Sequence, residues 1–131
     1  EDDERKCHAC LLLGFVHGPT PDEDFDCRVL MQSGPRFRKD LTTVIVAPDG
    51  SYACFAGMWV DPINHYAYLE PLATVPQYRR LGLAHIALTE AMKKTVKDGA
   101  TYCYGGNREF YYAMGFETVG VRVFWEKTWV E

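Results

Sequence analysis

The sequence has no apolar run near the roughly 20 residues that a bilayer-crossing helix needs. Its longest candidate, residues 11–16, is broken by Gly14 and followed by His17, so neither a transmembrane segment nor a secretory leader is expected. Positive charge is scarce: 14 Lys and Arg stand against 18 Asp and Glu, for a formal net charge of −4. Such a chain is not expected to bind nucleic acid, and an anionic ligand must find a local basic patch. Five cysteines, an odd number, do not suggest a disulfide framework. Cys7 and Cys10 form a lone C-x-x-C around His8, with no second pair to complete a zinc or redox site. Reduced, buried thiols in a cytoplasmic protein are the expectation, and no metal. Repeats and low-complexity tracts are lacking as well.

What is present is ordinary for one compact domain spanning residues 1–131: 47% hydrophobic, 24% charged and 14% aromatic residues, enough for a single core. The chain begins at Glu1 rather than Met, as would a fragment of a longer protein or a chain whose start has been removed. The acidic runs at residues 1–4 and 22–26 read as solvated surface.

Residues 6–15 are predicted as a first strand or its approach, ending at His17-Gly18-Pro19. Residues 25–31 suit a short helix stopped near Ser33-Gly34-Pro35. Two confident N-terminal helices are not visible before Leu41. Residues 41–47 are rich in β-branched side chains and lead into the turn Pro48-Asp49-Gly50-Ser51. Residues 52–60 make the next strand, Asp61-Pro62-Ile63-Asn64 a second turn, and residues 65–74 a third strand. This is an antiparallel meander. A helix follows over residues 83–97, where Ala84, Ala87, Leu88, Ala91, Met92 and Thr95 recur at helical spacing. Lys93, Lys94 and Lys97 suit its solvent-facing last turn, and Gly99 its C-terminal cap. Residues 101–104 are a short strand closed by Gly105-Gly106. Residues 108–114 are a short helix ended by Gly115, and residues 119–125 alternate as a final strand closing the sheet. The order implies a mixed α/β (α+β-like) layered domain, a mostly antiparallel sheet flanked by helices.

The chemistry concentrates in Thr74-Val75-Pro76-Gln77-Tyr78-Arg79-Arg80-Leu81-Gly82-Leu83-Ala84. A strand ends, Pro76 stops its ladder, and a helix starts after Gly82. The unpaired N–H groups and positive dipole end of that helix, a glycine that admits close approach, slim Ala84, and the charges of Arg79 and Arg80 together make a pyrophosphate cradle.

Here the chain resembles the GNAT superfamily of N-acetyltransferases. Arg79-Arg80-Leu81-Gly82-Leu83-Ala84 is similar to its acetyl-CoA signature. Phe110-Tyr111-Tyr112-Ala113-Met114-Gly115-Phe116 is similar to its aromatic-Tyr signature before Gly-Phe, one helix and one strand later. The resemblance covers residues 41–127. It implies acetyl-CoA as cosubstrate, an amine acceptor, and a slot between splayed central strands in which pantetheine pairs with the backbone of Ala73, Thr74 and Val75. It implies that the main chain of Arg79, Arg80, Leu81, Gly82, Leu83, Ala84 and His85 holds the pyrophosphate, with a CoA contact at Asn107 in an abbreviated loop. An N–H of the Ala73–Val75 strand would hold the oxyanion. Pro71, which lacks an N–H, independently suggests an edge or bulge there.

Glu70 on the same strand is the candidate base. An alkylammonium of pKa ~10.4 must lose a proton before it attacks, and a desolvated carboxylate can take it directly or through one water. Tyr111 is the candidate acid for the departing thiolate, with Tyr112 its competitor. No protein nucleophile is required. The acceptor's identity stays open, and a catalytically silent CoA-binding regulatory module of a tandem protein is the alternative function. A second copy of the chain or a companion GNAT domain would be its partner. No membrane partner is expected.

Overall fold

The computed structural model describes residues 2–15, 23–121 and 123–129. Helix α1 (Asp2–Phe15) replaces the strand expected at residues 6–15. Cys7, Cys10, Leu11 and Gly14 fall at i, i+3, i+4 and i+7, so one helical stripe turns inward, and Cys10 and Leu11 are fully buried. Asp2, Asp3 and Glu4 occupy the first turn, where the helix dipole favours negative charge. Asp3 accepts a hydrogen bond from the Tyr52 hydroxyl and Glu4 one from Lys39, which fastens this end of the helix to the sheet layer. The predicted stop at His17-Gly18-Pro19 lies outside the described residues. Helix α2 (Glu23–Gln32) follows, as predicted, and ends where the Ser33 hydroxyl donates to the Leu30 carbonyl. Two helices therefore precede the sheet, where the sequence showed only one.

The meander forms as expected: β1 (Thr43–Val46), β2 (Tyr52–Asp61) and β3 (Tyr66–Thr74) pair antiparallel. Asp49 accepts from the Ser51 N–H and hydroxyl to shape the first turn. Asp61 accepts from the Ile63 and Asn64 N–H groups in the second. Helix α3 (Leu83–Lys97) has its predicted bounds, and β4 (Tyr102–Tyr104) pairs parallel with β3 to complete the order β1-β2-β3-β4. Helix α4 (Glu109–Ala113) closes the ordered elements. Among the described residues no helix is long and apolar enough to cross a membrane.

The sheet is covered on both faces, which explains the nearly continuous burial of β2. Ala87, Leu88 and Ala91 of α3 pack against Met58, Ala67 and Leu69 on one face. Cys10 and Leu11 of α1 pack with Phe55, Ala73 and Val75 on the other. The final strand expected at residues 119–125 does not form: the described residues there carry no strand pairing, and Val119, Val121, Phe124 and Trp125 are exposed. Alternation supplies a strand's two faces, but a ladder also needs a neighbour, and β4 is paired only with β3 among the described residues.

Gly14 lets α1 approach the sheet closely. A Cβ there would lie 2.7 Å from Ala73 Cβ and 3.3 Å from the Thr74 nitrogen. Gly14→Val should therefore cost about 1–3 kcal/mol by overpacking. Urea unfolding should show a lowered midpoint, and an unchanged midpoint would argue that α1 does not seat on β3.

Candidate active site

The site originates in a break of register. Ala56 faces Leu72 and Met58 faces Leu69, so Glu70 and Pro71 together oppose Gly57 alone. This is the bulge that Pro71 suggested: its missing N–H costs no ladder bond there. Gly57 has no room for a side chain, since a Cβ would meet the Glu70 carbonyl at 2.9 Å and Pro71 Cδ at 3.1 Å. β4 pairs with β3 only from Tyr66 to Tyr68. Beyond the bulge the outer edge of β3 opens into a slot.

The backbone bordering that slot is set by alternation. Val75 donates its N–H to the Ala53 carbonyl at 3.0 Å, so the Ala73 N–H points the same way, into the sheet. The N–H groups of Leu72 and Thr74 then face the open edge. The chain leaves β3 through a single 3₁₀ turn at Pro76–Tyr78. Arg80 and Gly82 both adopt positive φ, +65° and +76°. Gly82 is the N-cap of α3 and no side chain caps that helix, which leaves the N–H groups of Leu83, Ala84 and His85 available to an anion. A Cβ at Gly82 would meet nothing within 4 Å, so the approach is open. Arg80, Leu81 and His85 are exposed, while Leu83 and Ala84 lean on the core. Arg79 is differently engaged. Its guanidinium donates to the Thr74 carbonyl at 3.2 Å and the Gly14 carbonyl at 2.8 Å, bracketing the end of β3 to the end of α1.

Across the slot, α4 presents Tyr111. Its ring packs edge-on against Phe110 and Phe116 and lies over Gly105 and Gly106, where Cβ atoms would come within 2.8 and 2.6 Å of it. The two glycines make room for that ring. Tyr112 points away, half-exposed, with its hydroxyl 2.9 Å from the Thr118 hydroxyl. Glu70, Leu72, Thr74, Ala84, Asn107 and Tyr111 are among the residues lining a cavity of about 300 Å³. Burial raises the Tyr111 phenol above its ordinary pKa, and the Glu70 carboxylate adds to this against an opposing pull from the Gly106 backbone. The phenol therefore keeps its proton at neutral pH. Burial also raises the Glu70 carboxyl. Glu70 and Tyr111, 41 positions apart in sequence, thus share one cavity, and the Glu70 charge is felt by the Tyr111 phenol.

A second, larger cleft of about 660 Å³ adjoins the first along β2 and β3. Trp59, Tyr66, Tyr68 and Tyr104 wall it, and Glu70 lines both. Sequence reasoning did not single out these aromatics, nor Phe15, which lines the slot from the end of α1. A signal existed for two of them: Tyr66, Tyr68 and Glu70 alternate with Ala67, Leu69 and Pro71, the mark of one shared strand face. Cys7 and Cys10 sit apart from both cavities. Burial pushes their thiols to about 11 and about 12, so neither supplies much thiolate at neutral pH.

The model of the acetyltransferase (GNAT) family matches residues 9–116 of the chain. A sequence search of curated proteins finds no relative. Among solved structures, AAC(6')-Iy in complex with the bisubstrate analogue CoA-S-monomethyl-acetylneamine superposes with a TM-score of 0.71 at 15% identity, covering 98% of this chain and 93% of that one. A Trypanosoma brucei acetyltransferase gives 0.72 at 18% identity, covering 97% and 95%. Glucosamine-6-phosphate N-acetyltransferase from Arabidopsis thaliana gives 0.69 at 16% identity, covering 96% and 93%. At these identities the likeness is one of fold: a mixed sheet with helices on both faces.

Proposed function

The chain belongs to the GNAT acetyltransferase family, and on that basis we propose that it moves an acetyl group from acetyl-CoA to a primary amine by direct attack in a ternary complex. The observation that carries this reading is Glu70, which lines both the slot beside α3 and the aromatic cleft. A carboxylate at that junction can reach an amine in the cleft and a thioester in the slot. Fold alone would not justify a reaction.

In this reading the N–H groups of Leu83, Ala84 and His85 hold the pyrophosphate behind Gly82, with Arg80 adding charge. Arg79 shapes the loop from behind. The open edge of β3 at Leu72 pairs with pantetheine, Ala73 and Val75 fix that edge from within, and Asn107 closes the far wall. Glu70 takes a proton from the ammonium, directly or through one water, so that the amine lone pair can form the new C–N bond. Thr74 donates its N–H to the carbonyl oxygen as charge gathers there. When the C–S bond breaks, Tyr111 passes its proton to the sulfur. We take residues 1–131 as one such domain and assign it to the cytoplasm, which suits five cysteines that are all free thiols.

Glu70→Gln tests the base. The Glu70 pKa is raised, so the wild-type rate should fall as pH drops through that elevated value and the carboxylate protonates. The Gln variant has no such group and should depend on the amine's own ionisation. Its deficit, expected at about 10²-fold near neutral pH, should shrink as pH approaches the amine's pKa. The readout is release of CoA thiol across pH. Superimposable profiles would remove Glu70 from the chemistry.

A further inference from the structure

The cleft beside Glu70 has a composition that narrows the acceptor. Its lining is largely aromatic, with Trp59, Tyr66, Tyr68 and Tyr104. Trp59 stands across from Tyr68 in the β2–β3 register, and Tyr68 beside Tyr104 in the β3–β4 register. Tyr66 meets Tyr104 edge-to-face with ring centres 5.3 Å apart. The Trp59 ring is fixed at both ends: its Nε1 donates to the Glu70 carbonyl at 2.8 Å, and the ring packs edge-on against Phe37. The wall is therefore preorganised rather than assembled around a ligand.

Its charges are few and unequal. Asp61 is already saturated, accepting from Arg36, from the Asn64 side chain and from the Ile63 and Asn64 N–H groups. Those contacts lower its pKa to about 2, and Arg36 cancels its charge. Glu70 is left as the one carboxylate of this lining without a cationic partner, at the end that opens toward Tyr111. A single uncompensated carboxylate matches one ammonium. A polycation would bring charges for which the lining holds no further free acid. A sugar phosphate would bring a dianion to a lining whose only cation is committed to Asp61, and a row of hydroxyls to walls of ring carbon.

We propose that the acceptor is a monocationic primary amine carried on a flat or apolar body, such as an arylalkylamine, with its body on the Trp59–Tyr68–Tyr104 wall and its nitrogen at Glu70. This rests on reading the neighbouring slot as the acetyl-CoA site, and the test separates the two. Acetyl-CoA binding is measured first by calorimetry. Thiol release is then followed with 2-phenylethylamine, kanamycin, spermidine and glucosamine 6-phosphate. The expected order by kcat/KM puts 2-phenylethylamine first. Tyr68→Ala should raise its KM about tenfold or more, since an aromatic face contacting a ring and a cation is worth that much, while acetyl-CoA affinity holds. Tyr68→Phe keeps the ring and should keep most of the affinity. Preference for kanamycin, spermidine or glucosamine 6-phosphate overturns the acceptor class and leaves acetyl transfer standing. So does 2-phenylethylamine that neither reacts with nor binds to the CoA complex. Failure to bind acetyl-CoA overturns the slot reading, and the acceptor class with it.

Discussion

Tyr111→Phe is expected to lower turnover by about 10²–10⁴-fold, the usual worth of general acid catalysis, with acetyl-CoA affinity nearly unchanged. The hydroxyl acts when the C–S bond breaks, so its loss is felt in the transition state and hardly in the ground state. The ring itself stays, packed on Phe110 and Phe116 above Gly105 and Gly106, so the fold has no reason to change. The raised pKa of the phenol adds a pH signature: the wild-type acid stays protonated through neutral pH, and its contribution fades only as pH climbs through that elevated value. Tyr112→Phe is the matched control. It loses only the contact to the Thr118 hydroxyl and should turn over normally. Steady-state kinetics of the two variants decide the matter. If Tyr112 carries the large loss, the acid moves one residue along α4. If the wild-type chain binds acetyl-CoA yet acetylates no amine, the chain is a regulatory CoA-binding module.

Gly82→Asp is expected to weaken acetyl-CoA binding by roughly 10–10³-fold. That corresponds to losing about 1.4–4 kcal/mol of charge-assisted hydrogen bonding to the α3 N-terminus. A carboxylate there would stand in the anion's place and repel it. The space around Gly82 is open, and aspartate tolerates positive φ better than most residues, so the variant should remain folded. Gly82→Ala separates charge from backbone strain, since it shares the +76° φ without adding a negative group, and should lose much less affinity. Calorimetry on both variants, with circular dichroism to confirm the fold, reads the outcome. Equal affinities for Gly82→Asp and wild type would place the pyrophosphate elsewhere.

The stretch from β1 to α4 was legible because its signals are local. Turn residues at Asp49-Gly50 and Asp61, the apolar stripe of α3 and the paired glycines each act within a few positions. The bulge was legible through the chemistry of a single residue, Pro71. Residues 6–15 misled because a cysteine- and leucine-rich run of ten can be read with either period. The decisive pattern was Cys7, Cys10, Leu11 and Gly14, with three acids ahead of it. Residues 119–125 misled in the opposite way, since pairing is a property of two strands and sequence alternation describes one. The aromatic cleft could not be read as a cleft at all. Trp59, Tyr68 and Tyr104 come from three strands, and only the register brings them side by side.

The Arg79 bracket also has a consequence for how the chain acquires its shape. Its hydrogen bond to the Gly14 carbonyl closes a separation of 65 residues, and the hydrogen bonds of α1 with the Tyr52 and Lys39 side chains close separations of 49 and 35. During synthesis α1 emerges before the sheet, and its buried stripe must wait for partners on β2 and β3. Contacts of such span form late, because the loop-closure entropy is met before the contacts repay it. The meander and α3, joined by short connections, can collapse earlier. The last event should then be the docking of α1, which brings Phe15 to the slot and seats Gly14 on Ala73. A ligand held there would bind only chains that had completed that step, and would slow their unfolding by holding the first helix in place.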